Sequence, residues 1–217
     1  MSKSKTDNFR AKSEPVENFF QAVDALKRGE IIVFPTETLY GLGADALNDA
    51  AVEKVFLLKA RDPAMPIPVL VASQAMLFTL VAAIPVAAKK LMDRFWPGPL
   101  TLVLRAREGV PSPLLNNQGG VGVRISSQPL AMQLVKALGH PLIATSANPS
   151  GQEPARTIAE AKRYFETQVR IFLDGGTLTS RTGSTVVEVI EDQVKIIREG
   201  DISASELRRV LGEVKLS

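Results

Sequence analysis

Ile31-Ile32-Val33-Phe34-Pro35-Thr36-Glu37-Thr38-Leu39-Tyr40-Gly41-Leu42-Gly43-Ala44-Asp45 is the stretch on which the reading of this chain turns. It begins as an apolar run, the pattern of a buried strand. The run stops at Pro35, which can end a strand but not sit in its middle. Two threonines, a glutamate and a tyrosine follow, then two glycines spaced to let the backbone turn or approach a ligand closely. Two readings stay open at this point: a loop that carries chemistry, or a plain polar turn ahead of a helix cap.

Working outward, Val16, Phe19, Phe20, Val23 and Leu26 recur at helical spacing, with Gly29 as the stop. The polar Met1–Pro15 reads as a flexible tail, leaving a domain over 16–217. After the opening loop, Asn48 or Asp49 caps a helix whose apolar face is Val52, Val55 and Phe56 and whose end carries Lys59 and Arg61. A strand over Ile67–Ala72, a helix capped by Ser73, and a helix from Pro85 to Phe95 follow. Trp96-Pro97-Gly98-Pro99 breaks that helix before a strand over Leu100–Arg105 and a loop over Arg107–Gly119. Val121–Ile125 alternates as a strand, Ser127 opens a helix to Leu138, and Pro141–Thr145 is an apolar strand. Thr157 caps a helix to about Glu166, Val169–Leu173 is a strand, and Asp174-Gly175-Gly176 turns the chain. Ser184–Ile190 and Gln193–Arg198 form a hairpin around Glu191-Asp192, and Ser203 with Glu206 makes a capping box for a last helix. Alternating strands and helices with a late hairpin predict one α/β domain: a twisted mixed sheet with flanking helices.

Composition removes several chemistries. The chain has 217 residues, a hydrophobic fraction of 45% and a charged fraction of 23%, enough for a core. It has no cysteine, which excludes disulfides, thiolate nucleophiles and cysteine-held metals. Its one histidine, His140, sits in Gly139-His140-Pro141 and reads as a structural turn residue rather than a member of a triad. The net charge of +3 is small, but a pI of about 9.2 leaves room for a basic face. Pro66–Ala88 is uncharged, yet its prolines and polar residues divide it into a strand and a helix rather than a membrane span. A cytoplasmic location is the default.

Polar clusters follow or lie on the strands: Thr36–Tyr40, Lys59 with Arg61, Arg124, Ser146 to Asn148, Ser184-Thr185 and Arg198. In open α/β sheets ligands collect beyond strand ends, so these clusters are placed to converge. Four cations and several small hydroxyls, without an acid pair or triad, suit a polyanion and the positioning chemistry of phosphoryl or nucleotidyl transfer. The chain has no P-loop and no Gly-x-Gly-x-x-Gly after a strand. Lys59 and Arg61 also read as cations favoured at a helix C-terminus, and Ser146-Ala147-Asn148 as a plain turn. Arg124 is harder to explain by structure alone, because it interrupts an otherwise apolar strand.

Pro35-Thr36-Glu37-Thr38-Leu39-Tyr40-Gly41-Leu42-Gly43, Lys59-x-Arg61, Trp96-Pro97-Gly98-Pro99-Leu100-Thr101, Val123-Arg124, Ser146-Ala147-Asn148-x-Ser150-Gly151, Ser184-Thr185-Val186-Val187 and Arg198-x-Gly200 occur in this order. The pattern resembles the YrdC/TsaC family, the L-threonylcarbamoyladenylate synthases of tRNA modification, over about residues 16 to 202. The resemblance is to the single-domain form, because longer members add a second domain. It implies a concave, positively charged cleft and conversion of L-threonine, bicarbonate and ATP with Mg²⁺ to threonylcarbamoyl-AMP and pyrophosphate. It also implies a partner complex that transfers the threonylcarbamoyl group to tRNA, and some members bind tRNA. By resemblance, Ser146 and Asn148 hold the nucleotide, which the backbone near Gly120 and Pro154 lines. Thr38 and Ser184, with the Ala144 backbone, complete the amino-acid pocket. The chemistry needs cations for the phosphates, assigned to Lys59, Arg61 and Arg198, and the planar fork of Arg124 matches the threonine carboxylate.

The chain departs from the family pattern at Asp62, which precedes Pro63 in the Lys-x-Arg-Pro element, at Ser126 where proline is common, and at Met65 and Leu70 where some members are polar. The competing readings are a non-catalytic RNA-binding or ribosome-maturation module, a carbamoyl-adenylate domain of hydrogenase maturation, and a family paralogue of different activity. An RNA-binding module would not need Thr36–Tyr40 or Ser146-Ala147-Asn148. The hydrogenase context brings acylphosphatase and zinc segments absent from this sequence. A paralogue typically alters Lys-x-Arg or Ser-Ala-Asn.

Overall fold

The computed structural model describes residues 18–61, 67–191 and 193–212. The expected tail 1–15, together with Val16, Asp62, Met65 and Asp192, lies outside them. In chain order the elements are α1 (18–27), β1 (Ile32–Pro35), β2 (Tyr40–Gly43), α2 (Asp49–Lys59), β3 (Val69–Leu70), α3 (Gln74–Leu80), α4 (Val86–Phe95), β4 (Leu100–Arg105), β5 (Gly120–Arg124) and α5 (Pro129–Leu138). They continue with β6 (Leu142–Ile143), β7 (Thr145–Ser146), α6 (Ile158–Phe165), β8 (Ile171–Phe172), β9 (Thr185–Ile190), β10 (Gln193–Arg198) and α7 (Ala204–Leu211). The α/β class follows the sequence, but the strands form two sheets rather than one: β7-β2-β1-β8, and β10-β9-β4-β5-β3-β6.

The stretch that opened the sequence reading is a tight hairpin. Phe34 and Gly41, and Pro35 and Tyr40, are opposite each other across the antiparallel β1–β2 pair. Tyr40–Gly43 is therefore a strand and not part of a loop. Its glycines disguised it, and their reason is packing. A Cβ at Gly43 would lie 2.8 Å from the Phe34 ring, which covers the strand face that these glycines leave bare.

Alternation along each strand builds the layers. Ile32 and Phe34 pack against α1 and α5, whereas Val33, Tyr40 and Leu42 pack against α6. In the larger sheet Leu100, Leu102, Leu104, Val121, Val123, Val187 and Val189 enter the main core with α4 and α7. The opposite face carries Thr101, Val103 and Arg124, and it is not covered by a helix of that core.

Several expectations change on long-range grounds. Pro141–Thr145 is not one strand: β6 joins the larger sheet and β7 the smaller, with Ala144 as the crossing point. Ile67–Ala72 and Val169–Leu173 contract to the two-residue strands β3 and β8. Gln128, not Ser127, caps α5: its side-chain oxygen accepts Leu130 N at 3.4 Å. Phe20 is 62% exposed, so the buried stripe of α1 is Ala22, Val23, Ala25 and Leu26. The capping boxes at Thr157 and Ser203 stand where the sequence placed them.

Candidate active site

A cavity of about 520 Å³ opens between the two sheets. The smaller sheet gives it Tyr40, Gly41, Thr145 and Ser146, and the larger gives Thr101, Val103, Arg124, Val186 and Arg198. Of the residues singled out from sequence, Thr38, Arg61, Arg124, Ala144, Ser146, Pro154, Ser184 and Arg198 line it. Lys59, Gly120 and Asn148 do not line it and stand behind its wall.

One end is built on hydroxyls. Thr36 makes the β1–β2 turn: its Oγ1 donates to Leu39 O at 2.7 Å and accepts the amides of Thr38 and Leu39 at 3.1 Å. Its hydroxyl and that of Thr38 share a bond of 3.0 Å, with both residues 3% exposed. Across the cavity, Ser184 and Thr101 share a hydroxyl bond of 3.0 Å. Arg124 ends β5, 6% exposed. Its Nη1 lies 3.7 Å from Glu37 Oε1. The other Glu37 oxygen accepts a short bond from Ser126 Oγ.

Arg198 reaches the same space through an irregularity. The β9–β10 register shifts between Ile196 and Arg198, leaving Ile197 as the extra residue of a bulge. Ile197 and Arg198 therefore both face the cavity, which a regular strand forbids. Arg198 Nη2 donates to Ser184 O at 2.8 Å. A Cβ at Gly200 would lie 2.4 Å from Gly183 O, so Arg198-x-Gly200 needs its glycine to let this segment lie on Gly183-Ser184.

The opposite end rests on the last turn of α2. Ala60 adopts left-handed φ of 47°, and Arg61 N bonds back to Phe56 O, a helix stop that turns Arg61 toward the cavity. Lys59, 2% exposed, donates from Nζ to Asn148 O at 2.6 Å and to Ser146 O. Its carbonyl accepts Ser150 N, so α2 clamps the Ser146–Ser150 loop at both ends of one residue. The Asn148 amide nitrogen donates to Pro149 O and Gln152 O and shapes that same loop.

Burial weakens every one of these cations, and neighbouring cations add to the effect. Lys59 is brought down to about 7, first by burial and then by Arg61. Arg61 is lowered by burial and then by Arg198, and Arg198 by burial and then by Arg124. Arg124 is lowered by burial, but Glu37 opposes the shift. Lys59 thus feels Arg61, Arg61 feels Arg198, and Arg198 feels Arg124. Such stacking of positive charge is costly in an empty cleft and is offset by an anionic ligand.

Sequence reasoning quoted Glu37 and Thr101 within motifs without giving them a role of their own, and it missed Asn116. Asn116 lines the cavity, takes the Gly120 amide at 2.7 Å and donates to Glu188 at 2.8 Å. Its only signal was its place in a polar loop. Tyr40, quoted within the opening stretch, secures the cavity edge. Its hydroxyl accepts Gly175 N at 2.9 Å and donates to Gly176 O at 2.8 Å, and burial pushes its pKa up to about 12. His140 lies outside the cavity, with Nδ1 2.9 Å from Asp45.

A parallel and antiparallel two-sheet α/β fold with a cation-lined cleft at the seam defines a nucleotide- or anion-binding class of protein. The particular family follows from comparison. Residues 24–200 match the Sua5/YciO/YrdC family model, described as "Telomere recombination", and the chain belongs to that family. It is 35% identical over 195 residues to a threonylcarbamoyl-AMP synthase of Pyrococcus abyssi, covering 90% of this chain and 57% of that protein. It is 35% identical over 191 residues to a putative threonylcarbamoyl-AMP synthase of Mycobacterium tuberculosis, covering 88% of each. Among solved structures, P. abyssi Sua5 complexed with L-threonine matches with a TM-score of 0.87 at 33% identity, over 94% of this chain and 59% of that one. The chain thus spans under two thirds of the Pyrococcus protein and most of the mycobacterial one.

Proposed function

We propose that this chain is a threonylcarbamoyl-AMP synthase, a nucleotidyltransferase that makes L-threonylcarbamoyladenylate and pyrophosphate from L-threonine, bicarbonate and ATP for the threonylcarbamoyl modification of tRNA. The observation that carries it is the cavity itself. Hydroxyls and an arginine that faces a carboxylate stand at one end, Arg61 and Arg198 line the cavity toward the other, and relatives that match most of the chain bear the synthase name.

In this reading Arg124 takes the threonine carboxylate, and Thr38, Ser184 and the Ala144 backbone surround its side chain. The threonine amine attacks CO2 with release of a proton, or bicarbonate with loss of water, to give the carbamate. A carbamate oxygen then attacks the α-phosphorus, and pyrophosphate leaves. Arg61 and Arg198 neutralise the phosphates, and Ser146 with the Pro154 backbone holds the nucleotide. Lys59, Asn148 and Gly120 act from behind, by shaping the Ser146–Ser150 loop and the β5 edge. No protein nucleophile is needed, so the work is positioning and charge neutralisation. Mg²⁺ would come with ATP as its counter-ion and would help neutralise the phosphate charge. tRNA and a transfer complex are the downstream partners. No helix among the described residues is long and apolar enough to cross a membrane, and we place the reaction in the cytoplasm.

The test is pyrophosphate release from ATP with Mg²⁺ and bicarbonate, with and without L-threonine. Release that depends on both threonine and bicarbonate, with threonylcarbamoyl-AMP as product, is the expected result. ATP or RNA binding without threonine-dependent release would overturn the proposal in favour of a binding module or a paralogue of other activity.

A further inference from the structure

Glu37 is a buried carboxylate without a task in the reaction just described. It does not line the cavity, although its neighbours Thr36 and Thr38 do. Its side chain is 13% exposed and faces Arg124, itself 7% exposed. One oxygen is gripped by Ser126, which is fully buried. The other, Oε1, is buried and has no hydrogen-bond partner among the described residues. At 3.7 Å from Arg124 Nη1 it is in charge contact but beyond a hydrogen bond.

A buried acceptor left without a donor is costly, and a buried charge more so. It persists where the site gains from it. Here the gain is local. The Arg124 guanidinium is buried near Arg198, and the Glu37 carboxylate, 3.7 Å from its Nη1, is placed to fix its orientation. Ser126 fixes the anion in turn, and Ser126 Oγ also accepts Gln128 N at 3.1 Å at the start of α5. The β1–β2 turn, β5 and α5 are therefore tied together behind one guanidinium.

We infer that Glu37, held by Ser126, is a positioning residue for Arg124: it sets the orientation of the guanidinium that receives the carboxylate of the amino-acid substrate. The inference rests on the synthase reading for the identity of that substrate.

The test uses the full chain and three variants. Glu37→Gln keeps a partner for Ser126 and removes only the charge, Ser126→Ala removes the clamp, and Ser126→Thr keeps the hydroxyl. The KM values for threonine and ATP are measured in pyrophosphate release, and the Arg124 guanidinium proton and nitrogen signals are followed by NMR. Glu37→Gln and Ser126→Ala should raise the threonine KM about tenfold, leave the ATP KM within about twofold, and merge guanidinium signals that are distinct in the unaltered protein. Ser126→Thr should restore both. Unchanged signals, or threonine and ATP KM rising together with a lower melting temperature, would overturn the inference and leave a structural staple. An unaltered protein without threonine-dependent release would sink the synthase reading alone, and the guanidinium signals would still decide the hold on Arg124.

Discussion

The two ends of the cavity carry the same kind of charge under opposite conditions. Arg124 at the hydroxyl end faces the Glu37 carboxylate, which opposes the lowering of its pKa by burial. At the α2 end Lys59 and Arg61 are each lowered by burial and then by a neighbouring cation, Arg61 for Lys59 and Arg198 for Arg61. The difference matches two ligand groups. A single carboxylate needs one cation that is always charged and fixed in direction. A triphosphate brings several charges of its own, and surplus positive charge becomes favourable only when it arrives.

The largest expected effect breaks this comparison at Arg124. Arg124→Ala should weaken threonine binding by about 2–5 kcal/mol, the range for truncating a buried hydrogen-bonded charge pair, and ATP binding much less. It should also lower the melting temperature, because Glu37 is left buried without its counter-charge. Titration calorimetry with each ligand measures the split. A collapse of ATP affinity with threonine affinity intact would reverse the division of the cavity.

Arg198→Ala should cost about 1.5–3 kcal/mol, the worth of a charged hydrogen bond, chiefly in ATP binding. A smaller loss for threonine follows from the bond of Arg198 to Ser184 O. Equal losses for both ligands would mean that the bulge at Ile197 serves the cavity as a whole and not its phosphate end.

The smallest effect sharpens the comparison at Lys59. Its pKa falls from 10.5 to about 7 on folding. Between those values the unfolded chain keeps a proton that the folded chain lacks. Stability from this group therefore rises with pH across that window, and its penalty is fully present below about 7. Phosphates near the amine restore its charge, so ATP binding at pH 8 should take up as much as about one proton and at pH 6 almost none. Calorimetry in buffers of different ionisation enthalpy counts those protons. No uptake at pH 8 would show that the two carbonyls gripping Nζ outweigh burial and hold the amine charged throughout.

Local chemistry is what the sequence made legible. The strand Leu100–Arg105, the hairpin of β9 and β10, the Asn48 cap and the boxes at Thr157 and Ser203 depend on residues within a few positions of one another. Motif order brought most of the cavity lining into view. What stayed hidden depends on distant partners. Tyr40–Gly43 read as loop because nothing in its own residues announces the Phe34 ring. The split of 142–146 between sheets depends on β2 and β3, far apart in sequence. Lys59 and Asn148 read as ligand residues; the Lys59 amine and the Asn148 amide nitrogen hold the loop that carries Ser146, while Asn148 Oδ1 has no hydrogen-bond partner among the described residues. Glu37 was quoted in the opening stretch but given no role, because its partner Ser126 is 89 residues away.

Ala144 stands alone between β6 and β7, its amide bonded to Pro68 O and its neighbours Ile143 and Thr145 committed to different sheets. Ile143 N in turn bonds Ala44 O, just beyond β2. The two jaws of the cleft are thus joined through one residue at their back wall, and a change in their gape would have to strain the bonds of Ile143 and Ala144. Fit to what enters then falls first to the side chains that line the cleft.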